Sequence, residues 1–524
     1  MLTRRDRRLA AGLAVAAACA TLLPYVLAGW LAPSGVRFGG FLLNPLDGFS
    51  YLAKMRQGMH GAWLFHLPYA PEPGAGVPLF LFYLLLGHVQ AWTGFSPLTV
   101  FHAFRVVGAA GMFLAAFRLL EGTLQERRGV WAGYTLIVAG GGLGWLALPL
   151  GIAASDLTIP ESVPLLTALV NPHFPLAAGF LILSMDILGP EAIGARWRWT
   201  LAFLCGTALG VILPFVVVTA VAVPALWLLW EWLHGRSTGL GTPDGWLRDR
   251  WMAWGGLCLG ASPWVLYGLW LTRFHPVLRI WQAQNQTPSP SPLAYLFGVA
   301  VPFILIGLGW RRARPERTTG GRLLLVWILV TAVCLYLPGL MQRRLSLGWA
   351  IPLAGLAGLS LSALLVEHKK WVMGLAASLL LTLPSLAIVL GAGLSSVAQA
   401  AAISVVAEPD QRAMEWAGAN LPSAALVLAG PLTGNRLPAF SELRVLYGHP
   451  FETPNAALAE AKVLRLVNWQ GTSQDALREA RSAGVDFVYV GDGERALAQG
   501  TLWWEGLPVV YASDGVSIYQ VSAQ

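Results

Sequence analysis

Residues 370–393 read KWVMGLAASLLLTLPSLAIVLGAG, an apolar run with one charged side chain, Lys370, at its start. A helix of about 20 apolar residues is long enough to cross the hydrocarbon core of a bilayer. Similar runs recur along the chain, and the candidate spans are 9–31, 77–93, 99–120, 129–150, 173–190, 199–213, 214–233, 252–272, 293–310, 322–338, 346–366 and 370–393. The sequence therefore predicts a mainly α-helical, polytopic transmembrane bundle.

The composition is that of a chain that mostly faces lipid. Hydrophobic residues make up 56% of the 524 residues and charged residues 12%, whereas soluble domains have about 25% charged residues. The formal net charge of +8 is uneven, because residues 400–524 carry 13 Asp/Glu against 8 Lys/Arg. The remaining basic residues lie in short loops beside apolar runs, where they orient membrane proteins. Because they form no basic surface interleaved with aromatic residues, we expect no nucleic-acid partner.

The positions of the basic residues favour eleven crossings over twelve. The positive-inside rule places the N-terminal RRDRR in the cytoplasm. If 77–93 lies in the interface without crossing, then Arg127, Arg128, Arg311 and Arg312 all fall on the cytoplasmic side. The C-terminal residues then lie on the extracytoplasmic face. We therefore expect an integral protein of the plasma (inner) membrane with a cytoplasmic N-terminus.

The predicted outside loops hold the ionisable residues of a candidate site, and they are 32–98, 151–172, 273–292 and 339–345. Asp47 lies at the N-cap position of a predicted helix, Phe49–His60, and capping is the alternative to a catalytic role. Arg343 and Arg344 lie outside, against the positive-inside rule. Their guanidinium groups suit a phosphate, and the alternative is pairing with acidic loops or lipid headgroups.

Several short stretches resemble the GT-C superfamily of polytopic membrane glycosyltransferases, and in particular the protein O-mannosyltransferases and aminoarabinose transferases. They are DGFSYLAKMRQG (47–58), PEPGAGVPLFLFYLLLG (71–87), PES with NPHFPLA (160–177), QRRLSLGWAIPLAGLAG (342–358) and the segment 415–450. The WWD-type motif of oligosaccharyltransferases is absent. The resemblance implies transfer of a sugar from a polyprenyl-phosphate-linked donor to an extracytoplasmic acceptor, which is a protein, a lipid or a polysaccharide.

The resemblance also implies roles for individual side chains. Asp47 would be the general base that takes a proton from the acceptor. Glu161 would orient the acceptor, help to hold a metal, or pair with an arginine. The candidate substrate-binding residues are Tyr51, Lys54, His173, His275, Arg279, Arg343 and Arg344. An interfacial tether is the alternative for Tyr51 and Lys54, and a structural helix start for His173. A divalent cation, Mg²⁺ or Mn²⁺, would need converging carboxylates, and the candidates are Asp47, Glu72, Asp156 and Glu161.

From about residue 400 short apolar strands alternate with amphipathic helices. The predicted strands are 425–430, 443–448 and 485–491, followed by a hairpin over 508–521. Asp514–Gly515 is the expected turn of this hairpin. We therefore divide the chain into a transmembrane domain, 1–399, and a soluble extracytoplasmic α/β domain, 400–524. The latter has no phosphate-binding glycine signature in the right context, and its role is acceptor recognition, a lid or a stabilising cap.

Two functions of other classes stay open. A lipid or polysaccharide transporter or flippase commonly shows internal repeats and charges at the membrane midplane, whereas the ionisable residues here concentrate in loops. A non-catalytic membrane scaffold would not need acidic and basic groups gathered on one membrane face.

Overall fold

The computed structural model describes residues 2–190, 195–238, 244–339 and 341–521. Residue 340 of the loop 339–345 and residues 522–524 of the predicted C-terminal domain lie outside the described residues. Of the described residues, 70% are helical, and the chain divides into two compact units. The first unit comprises 1–24, 102–268 and 287–392, and the second comprises 25–101, 269–286 and 393–524. The domain boundary at residue 400 stays a prediction.

Among the described residues, five helices are long and apolar enough to cross a membrane, namely Arg4–Leu31, Pro97–Leu124, Pro214–Arg236, Gln342–Leu364 and His368–Ala398. Two sharply bent pairs would raise the number to seven, namely Arg127–Ala139 with Gly144–Leu150 and Pro292–Gly298 with Ala300–Ala313. The shorter apolar helices are His173–Leu188, Trp197–Ile212 and Thr319–Cys334. A helix of 16 residues is about 24 Å long, less than a hydrocarbon core of about 30 Å. The described residues thus support five to seven spans, and eleven crossings stay a prediction.

The first unit is built from closely packed helices. Helix Arg127–Ala139 packs against helix Ala350–Leu364, and a Cβ atom on Gly358 would lie 2.3 Å from the backbone nitrogen of Gly133. Small residues let two helix backbones approach in this way. The other helical elements of this unit are Ser155–Thr158, Pro160–Ser162, Pro164–Val170 and Pro315–Arg317, and helix Asp244–Phe274 begins here and ends in the second unit.

The second unit combines helices with two small sheets. Its helical elements are Pro45–Met59, Leu81–Thr93, Pro276–Gln284, Glu408–Asn420, Pro431–Phe440, Ala456–Val467, Ser473–Ser482, Asp492–Leu497 and Trp503–Gly506. Its strands are β1 (Val36–Phe38), β2 (Val405–Ala407), β3 (Leu426–Leu428), β4 (Arg444–Val445), β5 (Phe487–Val490), β6 (Val509–Ser513) and β7 (Val516–Gln520). β1 pairs antiparallel with β2, and the other strands form a sheet in the order β4–β3–β5–β7–β6.

The C-terminal sheet follows the sequence pattern closely. β3 is parallel to both β4 and β5, whereas β7 is antiparallel to β5 and β6. Asp514 and Gly515 have φ angles of 49° and 81° and form the hairpin turn between β6 and β7, as the Asp-Gly pair predicts. β3 and β4, with three and two residues, are both shorter than the predicted strands 425–430 and 443–448.

The helix that carries Asp47, which we name the first-loop helix (Pro45–Met59), begins earlier than the sequence pattern suggests. Its N-cap residue is Asn44, with φ 50°, and Pro45 occupies the first helical turn. Proline is favoured there because its φ is already helical and its missing N–H is not needed. The N-cap position predicted for Asp47 is therefore wrong, since Asp47 lies within the first turn.

Candidate active site

Asp47 on the first-loop helix faces a histidine from the C-terminal part of the second unit. The Nε2 atom of His449 lies 3.0 Å from Oδ1 of Asp47. The His449 side chain is 2% exposed, whereas the Asp47 side chain is 40% exposed. The carboxylate is therefore held by a buried group on one side and is open to solvent on the other.

The backbone around His449 assigns the tautomer of its ring. The Nδ1 atom accepts hydrogen bonds from the backbone N–H groups of Phe451 and Glu452, at 3.1 and 3.2 Å. An imidazole nitrogen that accepts from N–H groups carries no proton of its own. The proton of the neutral ring is therefore on Nε2, which donates it to Asp47.

The segment Gly448–Thr453 is a tight turn that fixes this histidine. The Thr453 hydroxyl oxygen accepts from the backbone N–H groups of Gly448 and His449, at 3.2 and 3.1 Å. The N–H of Thr453 donates in return to the carbonyl of His449. A Cβ atom on Gly448 would lie 2.4 Å from the ring of Tyr69. Only glycine therefore lets the turn approach this buried tyrosine.

Lys54 lies about two turns after Asp47 on the same helix and forms a buried ion pair. Its Nζ atom lies 2.7 and 2.9 Å from the two carboxylate oxygens of Glu452 and 3.1 Å from the hydroxyl of Ser50. Burial alone would raise the pKa of Glu452, but attraction to Lys54 and the hydrogen bonds from Lys54 and Ser50 hold that pKa below its ordinary value. The Lys54 side chain is 1% exposed, so its ammonium group serves Glu452 rather than an open site.

Aromatic rings pack around these polar groups. Tyr51 stacks on Tyr83 with ring centroids 4.4 Å apart. The Tyr69 hydroxyl donates to the carbonyl of Asn435 at 3.1 Å. Burial, followed by the nearby negative charges of Glu452 and Asp47, raises the pKa of Tyr69 well above its ordinary value. Tyr69 is therefore a neutral hydrogen-bond donor at physiological pH.

The third predicted loop contributes a helix to the second unit. The Nδ1 atom of His275 accepts from the N–H of Leu278 at 3.2 Å and caps helix Pro276–Gln284. Arg279 on this helix is exposed. At the end of the helix, the amide of Gln284 donates to the carbonyl of Thr453. His275 thus has a structural role in addition to any contact with substrate.

The other predicted site residues, Glu161, His173, Arg343 and Arg344, lie in the first unit. The turn Pro160–Ser162, which holds Glu161, packs against the turn Gln342–Ser346, which holds both arginines. In the described part of the chain, the Nε atoms of Arg343 and Arg344 are buried and have no hydrogen-bond partner. The first unit thus brings together the acidic residue and the two arginines singled out in the sequence. His173 is buried at the start of its helix.

His449 and Glu452 are not among the site residues predicted from the sequence. Lys54 was the one sequence signal for a partner such as Glu452, because a lysine buried among apolar residues needs an acidic group to balance its charge. His449 lies within the segment 415–450, but it is 402 residues from Asp47 along the chain. No local sequence pattern relates the two residues.

In the described residues, no three His, Cys, Asp or Glu side chains come together as a metal site. Of the four carboxylates considered for a cation, Asp47 and Glu72 lie in the second unit, and Asp156 and Glu161 lie in the first.

No protein-family model and no curated protein sequence matches the chain. The chain shares its fold with solved structures of GT-C glycosyltransferases, in agreement with the resemblance seen in the sequence. Solved structures that the chain resembles include the oligosaccharyltransferase AglB of Archaeoglobus fulgidus, with a TM-score of 0.54, 12% identity and coverage of 98% of this chain and 74% of that one.

Two further structures extend this likeness. ArnT of Cupriavidus metallidurans has a TM-score of 0.50 and 14% identity, with 98% of each chain covered. The arabinofuranosyltransferase AftD from Mycobacteria has a TM-score of 0.51 and 16% identity, with 100% of this chain and 40% of that one covered. At these identities the likeness shows the fold. Together with the apolar helices, it supports a membrane location.

Proposed function

We propose that the protein is a membrane glycosyltransferase that transfers a sugar from a polyprenyl-phosphate-linked donor to an extracytoplasmic acceptor. Two observations support this proposal, namely the GT-C fold over nearly the whole chain and the carboxylate of Asp47. The structurally similar AglB has been solved in complex with an inhibitory peptide and a dolichol-phosphate. A donor of the same chemical class suits this chain.

The observation that carries the proposal is the half-open Asp47 carboxylate, held at 3.0 Å by His449. In the reaction, the acceptor atom forms a bond to the anomeric carbon while the bond from that carbon to the donor phosphate breaks. The electron pair leaves with the lipid phosphate, and the acceptor proton moves to Asp47. An exposed carboxylate can reach such a proton directly or through one water.

We assign the donor phosphate to Arg343 and Arg344. Negative charge grows on the leaving phosphate in the transition state, and fixed cationic donors stabilise it. The support is the pair of guanidinium groups on one turn, with Nε atoms that have no partner among the described residues. Glu161 on the adjacent turn orients the acceptor or the arginines. Tyr51, His173, His275 and Arg279 complete the proposed substrate-binding set.

The test is transfer of radiolabel by the purified protein in lipid nanodiscs, from a panel of polyprenyl-phosphate sugars to a membrane extract that supplies acceptors. Asp47→Asn keeps the shape of the side chain and removes the base. We expect wild-type transfer with at least one donor and a rate about 10² to 10⁴ times lower in the variant. Equal rates for both proteins would contradict the role of Asp47.

A further inference from the structure

We infer that His449 is a positioning residue for Asp47, so that the turn Gly448–Thr453 supplies part of the active site. This inference rests on the proposed function and deepens it. It assigns to the C-terminal part of the second unit the positioning of the catalytic base, whereas the sequence left the role of this part open between acceptor recognition, a lid and a stabilising cap.

The Nε2–H group of His449 donates to Oδ1 of Asp47, and this hydrogen bond helps to fix the direction of the carboxylate. Moving the ring proton from Nε2 to Nδ1 would place it against the N–H groups of Phe451 and Glu452, which now donate to Nδ1. The tautomer that donates to Asp47 is therefore the one that the backbone selects.

The turn that carries His449 is anchored on several sides. Thr453 closes it through two backbone N–H groups, and Glu452 ties it to the first-loop helix through Lys54. The ring itself is 2% exposed. A displacement of about 1 Å at a reacting group can cost about 100-fold in rate, so rigid support of this kind has a kinetic consequence.

The structure also offers a way to separate positioning from simple capping of the turn, because the two roles use different ring nitrogens. His449→Asn places a carbonyl oxygen where Nδ1 now accepts the two N–H groups, as asparagine does in turns, but its side chain is too short to reach Asp47. His449→Gln instead extends an amide donor toward Asp47 and gives up the acceptor of the turn.

We expect His449→Asn to lower kcat about 100-fold, with little change in the KM for the donor and in the melting temperature. His449→Gln should recover most of the lost rate although its turn is weaker. In the Asp47→Asn background, His449→Asn should have almost no further effect, because the group that it positions is gone. His60→Asn is the matched control, since it alters an exposed histidine–carboxylate pair, His60 with Glu442, and should leave the rate unchanged.

The opposite results overturn the inference. If folded His449→Asn had the kcat of the wild type, or if the losses of the two single variants multiplied in the double variant, His449 would have a structural role only. A low transfer rate in Asp47→Asn would still support the proposed function in that case.

A second experiment needs no substrate, namely ¹⁵N NMR of histidine-labelled protein. The His449 signals are assigned by their absence from His449→Asn. A protonated Nε2 that shifts in Asp47→Asn is expected, and a protonated Nδ1 would contradict the geometry. If no donor is used by the wild type, the proposed function fails, whereas the NMR result still decides the contact.

Discussion

The pairs that define the candidate site join residues that the sequence cannot relate. Lys54 and Glu452 are 398 positions apart, and Asp47 and His449 are 402 positions apart. Asp47 stood out because the stretch 47–58 resembles the first loop of the GT-C superfamily. Its partners arise only from the tertiary fold, so the sequence identified one half of each pair.

The Lys54–Glu452 pair leads to a prediction about stability. Lys54→Met leaves a buried carboxylate without its counter-charge, which should lower the free energy of unfolding by about 3–5 kcal/mol. The double variant Lys54→Met/Glu452→Met should recover most of this loss, because it leaves no uncompensated charge. Thermal and chemical unfolding of the full-length protein in detergent would measure both.

An exposed ion pair in the same unit provides the control. Arg478 and Asp475 are paired at 2.8 Å but are 77% and 49% exposed. Arg478→Ala should cost less than about 1 kcal/mol. A loss for Lys54→Met as small as that for Arg478→Ala would show that the buried pair does not anchor the turn.

At the scale of elements, the sequence predicted what local chemistry decides. The hairpin over Asp514–Gly515 was predicted because both turn residues tolerate a positive φ. The first-loop helix begins at Pro45 rather than at the predicted Phe49, because a proline in the first turn already has a helical φ. The β4 strand is shorter than expected because only Arg444 and Val445 find partners on β3.

The position of Asp47 also depends on how the first-loop helix packs on helix Leu81–Thr93. A Cβ atom on Gly58 would lie 2.0 Å from the carbonyl oxygen of Leu84. Gly58→Ala should therefore push the helices apart, cost about 1–3 kcal/mol of stability and lower the transfer rate. Gly29→Ala is the matched control, because a Cβ there meets nothing within 4 Å. Equal stability and equal rates in both variants would refute this close contact.

At the scale of the whole molecule, composition and apolar runs were enough for the fold class. A chain with 12% charged residues can hide its backbone polar groups in a bilayer only by forming helices or a closed barrel. The number of crossings was harder to predict, since bent and short apolar helices have the same composition as full spans. Among the described residues, five helices are long enough to cross a membrane, or seven if each bent pair is one span. The prediction of eleven crossings depends on the positive-inside rule instead.

We propose that Asp47 and the C-terminal part of the second unit lie on the extracytoplasmic face, where the acceptor is bound. Single cysteines at Glu72 and at Ala512, both exposed, test it most directly in a variant that lacks the four native cysteines. A membrane-impermeant maleimide should label both positions in intact cells as strongly as after permeabilisation. Labelling of either position only after permeabilisation would place the first loop or the C-terminal hairpin in the cytoplasm, which would contradict an extracytoplasmic site at Asp47.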